Sequence, residues 1–268
     1  MDPQSLAEAQ SQFRRYDPER WRTTLFAPAE LRLRLVALYA FNIEIARVRE
    51  TVSEAILGHI RLQWWREALA EIAAGGRVRK HPIVECVAAA KLDMGCLNRA
   101  IDARERDLDD LLFSDIGALE AYASESSGAI FEAAFLAADA DAGPAKRLGT
   151  GYALAGLLRA VPFFARQRRI LLPADLLAKA GLAAETIHEG KAGAAIAACV
   201  EPIARLALDL LETNVPRSAL VPALPAALAK LSLRRLAANG FDPFAPALQT
   251  PHPGDVWRLL WTRLSGRL

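Results

Sequence analysis

The chain has few of the residues that build disulfides or zinc centres. Its 268 residues include three cysteines and four histidines. No two cysteines stand in a C-x-x-C spacing and their number is odd, so we predict no disulfide framework and a reducing compartment. The four histidines are far apart in sequence, which argues against a zinc site.

Targeting, membrane-spanning and nucleic-acid-binding signals are also scarce. The first eight residues, MDPQSLAE, have neither a basic stretch nor an apolar core, so no secretory signal is predicted. No apolar run reaches the roughly 18–20 residues of a bilayer span. The 33 basic and 31 acidic residues nearly balance, which argues against nucleic acid as a partner. We expect a cytoplasmic protein, attached at most peripherally to the inner membrane.

Helical periodicity fills the chain, whereas period-2 alternation and β-branched residues are rare. Hydrophobic residues make up 53% of the sequence, enough for a packed core. We predict one all-α domain over residues 1–268, with a break at Gly58. The predicted helices are 28–49, 59–74, one opened by His81-Pro82, 97–112, 114–137, 149–164, one between Pro173 and Gly181, 192–213, 220–238 and 255–264.

Several segments resemble the squalene/phytoene synthase family over almost the whole chain. Residues 37–50 and 158–173 are similar to the two metal-binding helices of that family. Residues 26–41, 60–69, 122–131 and 236–244 resemble four further segments. The resemblance implies an isoprenoid-synthase-type helical bundle around a central cavity.

The metal-binding aspartates of the family are mostly missing. Its first motif reads Asp-Asp-x-x-Asp, and the corresponding positions here are Ala46, Arg47 and Glu50. Its second motif reads Arg-Asp-x-x-Glu-Asp, and here Arg159 is followed by Ala-Val-Pro-Phe-Phe. In the family these acids hold the Mg²⁺ ions that neutralise the diphosphate leaving group. The resemblance therefore implies a catalytically degenerate protein with no catalytic residue and no metal.

Four residues are candidates for a residual metal or diphosphate site: Glu50, Glu54, Arg47 and Arg159. Glu50 and Glu54 are four apart, and on one helix they would share a face. An ion network with the neighbouring arginines is the alternative interpretation. A bound Mg²⁺ is expected only if the chain is an active prenyltransferase that condenses two prenyl diphosphates.

A second set of residues is expected to line the former substrate cavity, or to plug it. These candidates are Tyr39, Phe41, Asn42, Gln63, Trp64, Phe163 and Phe164. Trp64 and Trp65 are adjacent on a helix and diverge by about 100°, so one is expected to pack and the other to lie at the surface. If the cavity is open, it would bind an isoprenoid or another lipid.

Three charged or amphipathic stretches have two interpretations each. Asp107, Asp109 and Asp110 would form either a displaced metal site or a solvated acidic face, and the solvated face is the default for such a run. The cluster of Arg166, Arg168 and Arg169 would either cap a helix or meet lipid phosphates. Residues 256–264 predict a basic amphipathic helix with a Trp257/Leu260/Trp261/Leu264 stripe, which either docks on the domain or lies in a membrane interface.

One branch of the family resembles this chain most, the synthase-like assembly factor of respiratory complex I. The resemblance rests on residues 40–48, on Val52-Ser-Glu54 and on the Arg61-Leu-Gln-Trp-Trp65 segment. It implies an assembly or maturation factor for complex I (NADH:quinone oxidoreductase). The implied partners are complex I subunits or assembly intermediates, with a membrane surface or an isoprenoid lipid as further candidates. An active prenyltransferase and a lipid-binding module are the alternatives.

Overall fold

The computed structural model describes residues 2–109, 112–248, 254–266 and 268, and these residues form helices and connecting segments without a strand. The prediction of an all-α chain is thus confirmed for this part of the chain. The helices are α1 (Pro3–Tyr16), α2 (Pro18–Thr24), α3 (Ala29–Ala46), α4 (Val48–Thr51), α5 (Ala55–Ala73), α6 (Pro82–Ala90), α7 (Met94–Glu105), α8 (Ile116–Ala123), α9 (Ala129–Ala137), α10 (Ala145–Arg166), α11 (Ala174–Lys179), α12 (Ala184–His188), α13 (Ala195–Leu211), α14 (Leu220–Ala238) and α15 (Gly254–Ser265).

The first two helices were not predicted, although each has a clear start signal. The Asp2 carboxylate accepts a hydrogen bond from the Ser5 backbone N–H at 2.8 Å, and Pro3 follows it in the first turn. Asp17 likewise caps α2, with Pro18 as the first helical residue. An aspartate cap followed by proline is a strong helix start. Phe13 of α1 is fully buried, so these helices cover one side of the core.

Helix α3 lies at the centre of the N-terminal half. Its residues from 35 to 43 are all buried, which is the pattern of a helix covered on every side. It packs against α1, α6 and α9. The predicted helix 28–49 is divided, because the chain turns at Arg47 and resumes as the short α4.

The predicted break at Gly58 is wrong. Gly58 lies inside α5, and it is buried. A Cβ atom at this position would collide with the side chain of Leu108. Glycine is therefore present because another segment passes close to the helix, and not because the helix begins after it.

Helix α10 is the main helix of the C-terminal half and carries the segment that resembles the family's second motif. It packs against α13, α14 and α9. Among the described residues it is the one helix long and apolar enough to cross a membrane, but 56% of its apolar window is buried inside the protein. This burial is typical of a helix in the core of a globular protein.

A wide π-helical turn, Ser124–Gly128, joins α8 to α9 without a break in the helical run. Helix α10 crosses this turn at very short range. A Cβ atom on Gly149 would lie 2.7 Å from both the Gly128 Cα and the Ser127 carbonyl oxygen. The buried side chains of α9 belong to both halves of the core, since Ile130 packs in the N-terminal cluster and Phe131 in the C-terminal one.

Candidate functional site

The ends of the two motif helices meet at a cavity of about 690 Å³, here called the basic cavity. Arg49 and Glu50 come from the first motif, and residues 167–171 follow the second motif. The remaining lining residues are Val52, Asp109, Leu112, Ala184 and His188. The chain therefore still brings the two motif regions together, as the resemblance implies.

The charges of the basic cavity favour an anion over a cation. Three guanidinium groups, of Arg49, Arg168 and Arg169, face two carboxylates, of Glu50 and Asp109. Guanidinium groups bind phosphate and carboxylate oxygens well. Within the described part of the chain, neither buried ring nitrogen of His188 has a hydrogen-bond partner.

A magnesium clamp of the type that the family uses does not fit these residues. Mg²⁺ needs oxygen ligands in near-octahedral geometry, usually from carboxylates, water and phosphate. The Glu50 carboxylate is already paired with the Arg47 guanidinium at 3.6 Å, and that guanidinium stacks on the Tyr16 ring, 3.8 Å from its centroid. Within the described residues, no group of three or more His, Cys, Asp or Glu side chains is placed to hold a metal ion.

The structure does not bring the four candidate residual-site residues into one place. Glu50 belongs to α4, whereas Glu54 precedes α5 as its exposed N-cap, and the extended Val52 separates the two helices. The expectation that the two glutamates share one helix face is therefore wrong. Arg159 lines a different cavity of about 370 Å³, where its Nη1 donates to Glu19 Oε2 at 2.6 Å.

Inside the bundle, a buried arginine stands among aromatic rings. The Arg20 guanidinium pairs with the Asp17 carboxylate and lies 4.8 Å from the ring centroid of Tyr39 and 5.4 Å from that of Tyr152. Burial raises the pKa of both phenols, that of Tyr152 to about 12. Tyr39 also packs on Phe13, with 5.2 Å between ring centroids. Tyr39 is thus a core residue held by a cation from the same chain.

A second, partly buried arginine closes a triangle of hydrogen bonds. Arg104 Nη1 donates to Asp107 Oδ2 at 3.1 Å and to the Tyr122 hydroxyl at 2.6 Å, and that hydroxyl donates to Asp107 Oδ1 at 2.7 Å. The expectation of a solvated face is wrong for Asp107, whose side chain is only 20% exposed. Asp109 is exposed and lines the basic cavity, and Asp110 lies outside the described residues.

The residues expected to line or plug the former cavity are dispersed. Phe41 is fully buried and Asn42 nearly so, whereas Gln63 is exposed and donates a hydrogen bond to Glu67. Phe163 is 47% exposed, and its ring meets that of Phe164 edge to face at 5.5 Å. The apolar pair at the second motif therefore lies at the surface, not inside the bundle.

Trp64 and Trp65 divide their roles as the sequence predicts. Trp65 is 2% exposed and packs edge to face on Phe41, at 5.4 Å between centroids. Trp64 is only partly buried and lines a third cavity of about 570 Å³ on the outside of the bundle, here called the outer groove. The lining residues of the outer groove are Glu44, Thr51, Val52, Ser53, Leu57, Ile60, Arg61, Trp64, Trp65 and His81.

The C-terminal helix is attached by the face opposite to its tryptophan stripe. Leu259 is buried against Leu224 and Leu228 of α14. The stripe faces away from the protein, and its exposed fractions are 73% for Trp257, 37% for Leu260, 65% for Trp261 and 82% for Leu264. Docking and an outward apolar face thus occur together in this helix.

The predicted arginine cluster at the end of α10 has two kinds of member. Arg166 Nε donates to the Pro162 carbonyl oxygen at 3.1 Å, so it satisfies the end of its own helix. Arg168 and Arg169 lie beyond the helix and line the basic cavity. Helix capping explains the first of these arginines, and the cavity accounts for the other two.

Comparison with known proteins agrees with the residues that carry the resemblance. A family model described as squalene/phytoene synthase matches residues 13–265. Complex I assembly factor 6 of NADH dehydrogenase (ubiquinone) from Mus musculus is 30% identical over 252 residues, which is 88% of this chain and 75% of that protein. The protein of the same name from Homo sapiens is 29% identical over 252 residues, with the same shares covered.

Solved structures show the same fold. A dehydrosqualene synthase in complex with a ligand superposes with a TM-score of 0.83 at 18% identity, covering 98% of this chain and 96% of that one. The squalene synthase HpnC from Alicyclobacillus acidocaldarius gives a TM-score of 0.75 at 19% identity, covering 90% and 96%. At such identities the similarity concerns the fold alone, and the predicted isoprenoid-synthase-type bundle is confirmed.

Proposed function

This chain belongs to the squalene/phytoene synthase family, and we propose that it acts as an assembly or maturation factor for respiratory complex I. The observation that carries the proposal is the similarity to proteins named as complex I assembly factors, at 29–30% identity over 88% of the chain. The solved prenyl synthases share the fold at lower identity, 18% and 19%. The clients of this activity would be complex I subunits or assembly intermediates.

The donor set of the basic cavity supports a role without prenyl transfer. Ionisation of a prenyl diphosphate needs several divalent cations held by carboxylates. Loss of one transition-state electrostatic contact commonly costs about 10²–10³ in rate, and here both halves of the clamp have changed. Arg49, Arg168 and Arg169 would instead contact an anionic group directly.

Gene deletion tests the assembly role. Without the chain, NADH:quinone activity in membranes and the amount of assembled complex I should fall, and the wild-type gene should restore both. Unchanged activity and unchanged subunit levels would contradict the proposal. Purified protein incubated with farnesyl or geranylgeranyl diphosphate and Mg²⁺ tests the alternative: diphosphate release that disappears in Glu50→Gln would establish a prenyltransferase.

We also propose that the chain works at the cytoplasmic face of the inner membrane. Trp257, Trp261 and Leu264 project outward from one face of α15, and the basic Arg258 and Arg263 lie on the same helix. Tryptophan favours the interface between lipid and water, and arginine favours lipid phosphates. This arrangement supports contact with an anionic lipid surface.

Vesicle binding tests the membrane contact. The wild-type chain should co-sediment with vesicles that contain phosphatidylglycerol, with a blue shift of tryptophan fluorescence. The double variant Trp257→Ser/Trp261→Ser should not co-sediment, whereas Phe163→Ser, at another exposed aromatic residue, should behave like wild type. Equal binding by all three proteins would contradict the membrane contact.

A further inference from the structure

The three sequence stretches that resemble the assembly-factor branch converge on the outer groove and not on the basic cavity alone. Glu44 comes from residues 40–48, Val52 and Ser53 from the second stretch, and Arg61, Trp64 and Trp65 from the third. We propose that the outer groove binds a client polypeptide segment whose apolar side chains are flanked by a lysine or arginine. This inference rests on the proposed assembly function and deepens it.

One wall of the outer groove is a rigid cluster of three aromatic rings in edge-to-face contact. The rings of Trp64 and Trp65 meet edge to face at 5.1 Å, and the His81 ring lies 5.5 Å from the first and 5.4 Å from the second. His81 Nδ1 accepts a hydrogen bond from the Ile83 backbone N–H at 3.2 Å, which fixes the ring. Little ordering remains for this wall when a partner binds, and such pre-organisation favours affinity.

The outer side of Trp64 is also held in place. The Arg79 guanidinium lies 5.2 Å from its ring centroid and forms ion pairs with Glu67 at 3.0 Å and with Glu71 at 2.8 Å. Tryptophan and arginine are the residues most often found where binding energy concentrates in protein interfaces. The ring of Trp64 therefore forms part of a pre-organised binding surface.

The rim of the outer groove is apolar and unusually exposed. Ile56 and Leu57 lie in one turn of α5 and Ile60 lies in the next, with 58%, 45% and 60% of their surface exposed. Ile56 lies outside the groove lining, so the apolar surface continues beyond the cavity itself. An occupant that covers both must be longer than a small molecule, which points to a polypeptide segment with several apolar anchors.

A carboxylate without an ionic partner decides the charge of the occupant. Glu44 lines the groove and is partly buried; within the described residues its carboxylate forms no hydrogen bond and no ion pair, and its charge acts only at longer range on the His81 ring. Arg61 lines the same groove, where its Nη1 donates to the Thr51 hydroxyl at 2.6 Å, and it forms no ion pair with Glu44. Burial lowers the pKa of His81 against the opposing pull of Glu44, so this ring does not supply the countercharge near neutral pH. A basic side chain of the client would supply it.

Site-specific crosslinking in cells tests the inference. Ile60 is replaced by a photo-crosslinkable phenylalanine analogue in a strain that lacks the natural gene, and the adducts are identified by mass spectrometry. The expected adduct is a complex I subunit, joined at an apolar stretch next to a lysine or arginine. The same analogue at Leu136, which is 41% exposed on α9, is the matched control and should not give this adduct.

Charge exchange then tests the role of Glu44. A synthetic peptide of the crosslinked stretch should bind Glu44→Lys at least tenfold more weakly than wild type, and changing its basic residue to glutamate should restore binding to Glu44→Lys. Thermal unfolding of Glu44→Gln and Glu44→Lys should match wild type, since Glu44 forms no hydrogen bond or ion pair with any described residue. Adducts to lipid or to a second copy, or equal peptide binding by all variants, would overturn the inference.

Complementation separates this inference from the assembly role itself. If the wild-type gene restores NADH:quinone activity and Ile60→Asp restores it equally, the outer groove is not the client site, although the assembly role stands. If the wild-type gene restores nothing, the assembly role fails. Restoration by wild type and loss of restoration in Ile60→Asp, with normal amounts of folded protein, is the expected result.

Discussion

Replacement of Gly149 by alanine should destabilise the protein because two backbones touch at this position. The new Cβ would lie 2.7 Å from the Gly128 Cα and the Ser127 carbonyl oxygen, and 2.9 Å from the Phe131 Cβ. Carbon atoms normally rest about 3.5–4.0 Å apart, so the contact is short by roughly 1 Å. None of these neighbours can rotate away, and α10 must therefore move relative to the π-helical turn.

The magnitude follows from two opposing contributions. Overpacking typically costs about 1–3 kcal/mol and occasionally more, and contacts with backbone atoms lie at the upper end. Alanine returns about 1 kcal/mol through its better helix propensity. The net loss in the free energy of unfolding for Gly149→Ala should thus be about 2 kcal/mol.

Gly156 in the same helix provides the matched control. A Cβ atom there would meet no described residue within 4 Å, so only the propensity gain remains. Gly156→Ala should therefore stabilise the protein by about 0.5–1 kcal/mol. Urea unfolding measures both, with an unchanged m-value as the sign that only stability has changed. Equal midpoints for Gly149→Ala and Gly156→Ala would refute the close-approach argument.

Two further predictions concern buried titratable groups. Burial raises the pKa of Tyr39, Tyr122 and Tyr152 above the ordinary 10.0. The folded-state pKa of these phenols is higher than the unfolded-state pKa, so their contribution to stability is complete below pH 10 and is lost as the pH rises further. Phenolate absorbance should therefore appear together with loss of helical circular dichroism. A titration that is complete in the folded protein near pH 10 would contradict this. Burial also raises the pKa of Cys86 to about 11 and of Cys96 to about 12, so thiol reagents at neutral pH should modify both slowly in the folded chain and rapidly in denaturant; rapid modification before unfolding would be the opposite result.

The sequence predicts helices well where local signals are unopposed. Helix α14 begins and ends as predicted, because Asn239-Gly240 terminates it and Gly240 adopts a positive φ of 66°. Helix α6 likewise begins as predicted, with His81 as its N-cap and Pro82 as its first residue. At Gly58 the same kind of signal misleads, because the cause of the glycine is a side chain fifty residues away in sequence, that of Leu108.

The site is less predictable because its contacts join distant segments. Arg20 meets Tyr152, which is 132 positions away in the sequence, and no local pattern links them. Glu50 and Glu54 are separated because the backbone is extended at Val52 and again at Glu54, between the two helices that the sequence predicts. Start signals at Asp2 and Asp17 were available in the sequence, and they would have located the helix that carries Arg20.

The π-helical turn at residues 124–128 determines where the chain can change its length. Removal of one residue from an ordinary helix rotates everything downstream by about 100°. A π turn already contains one residue more than a regular turn, so a deletion within it would leave the faces of α8 and α9 as they are. The deletion would instead change the structure locally, in the wide π-helical turn that α10 contacts at Gly149. Among relatives of this chain, insertions and deletions within residues 114–137 should therefore concentrate at this turn.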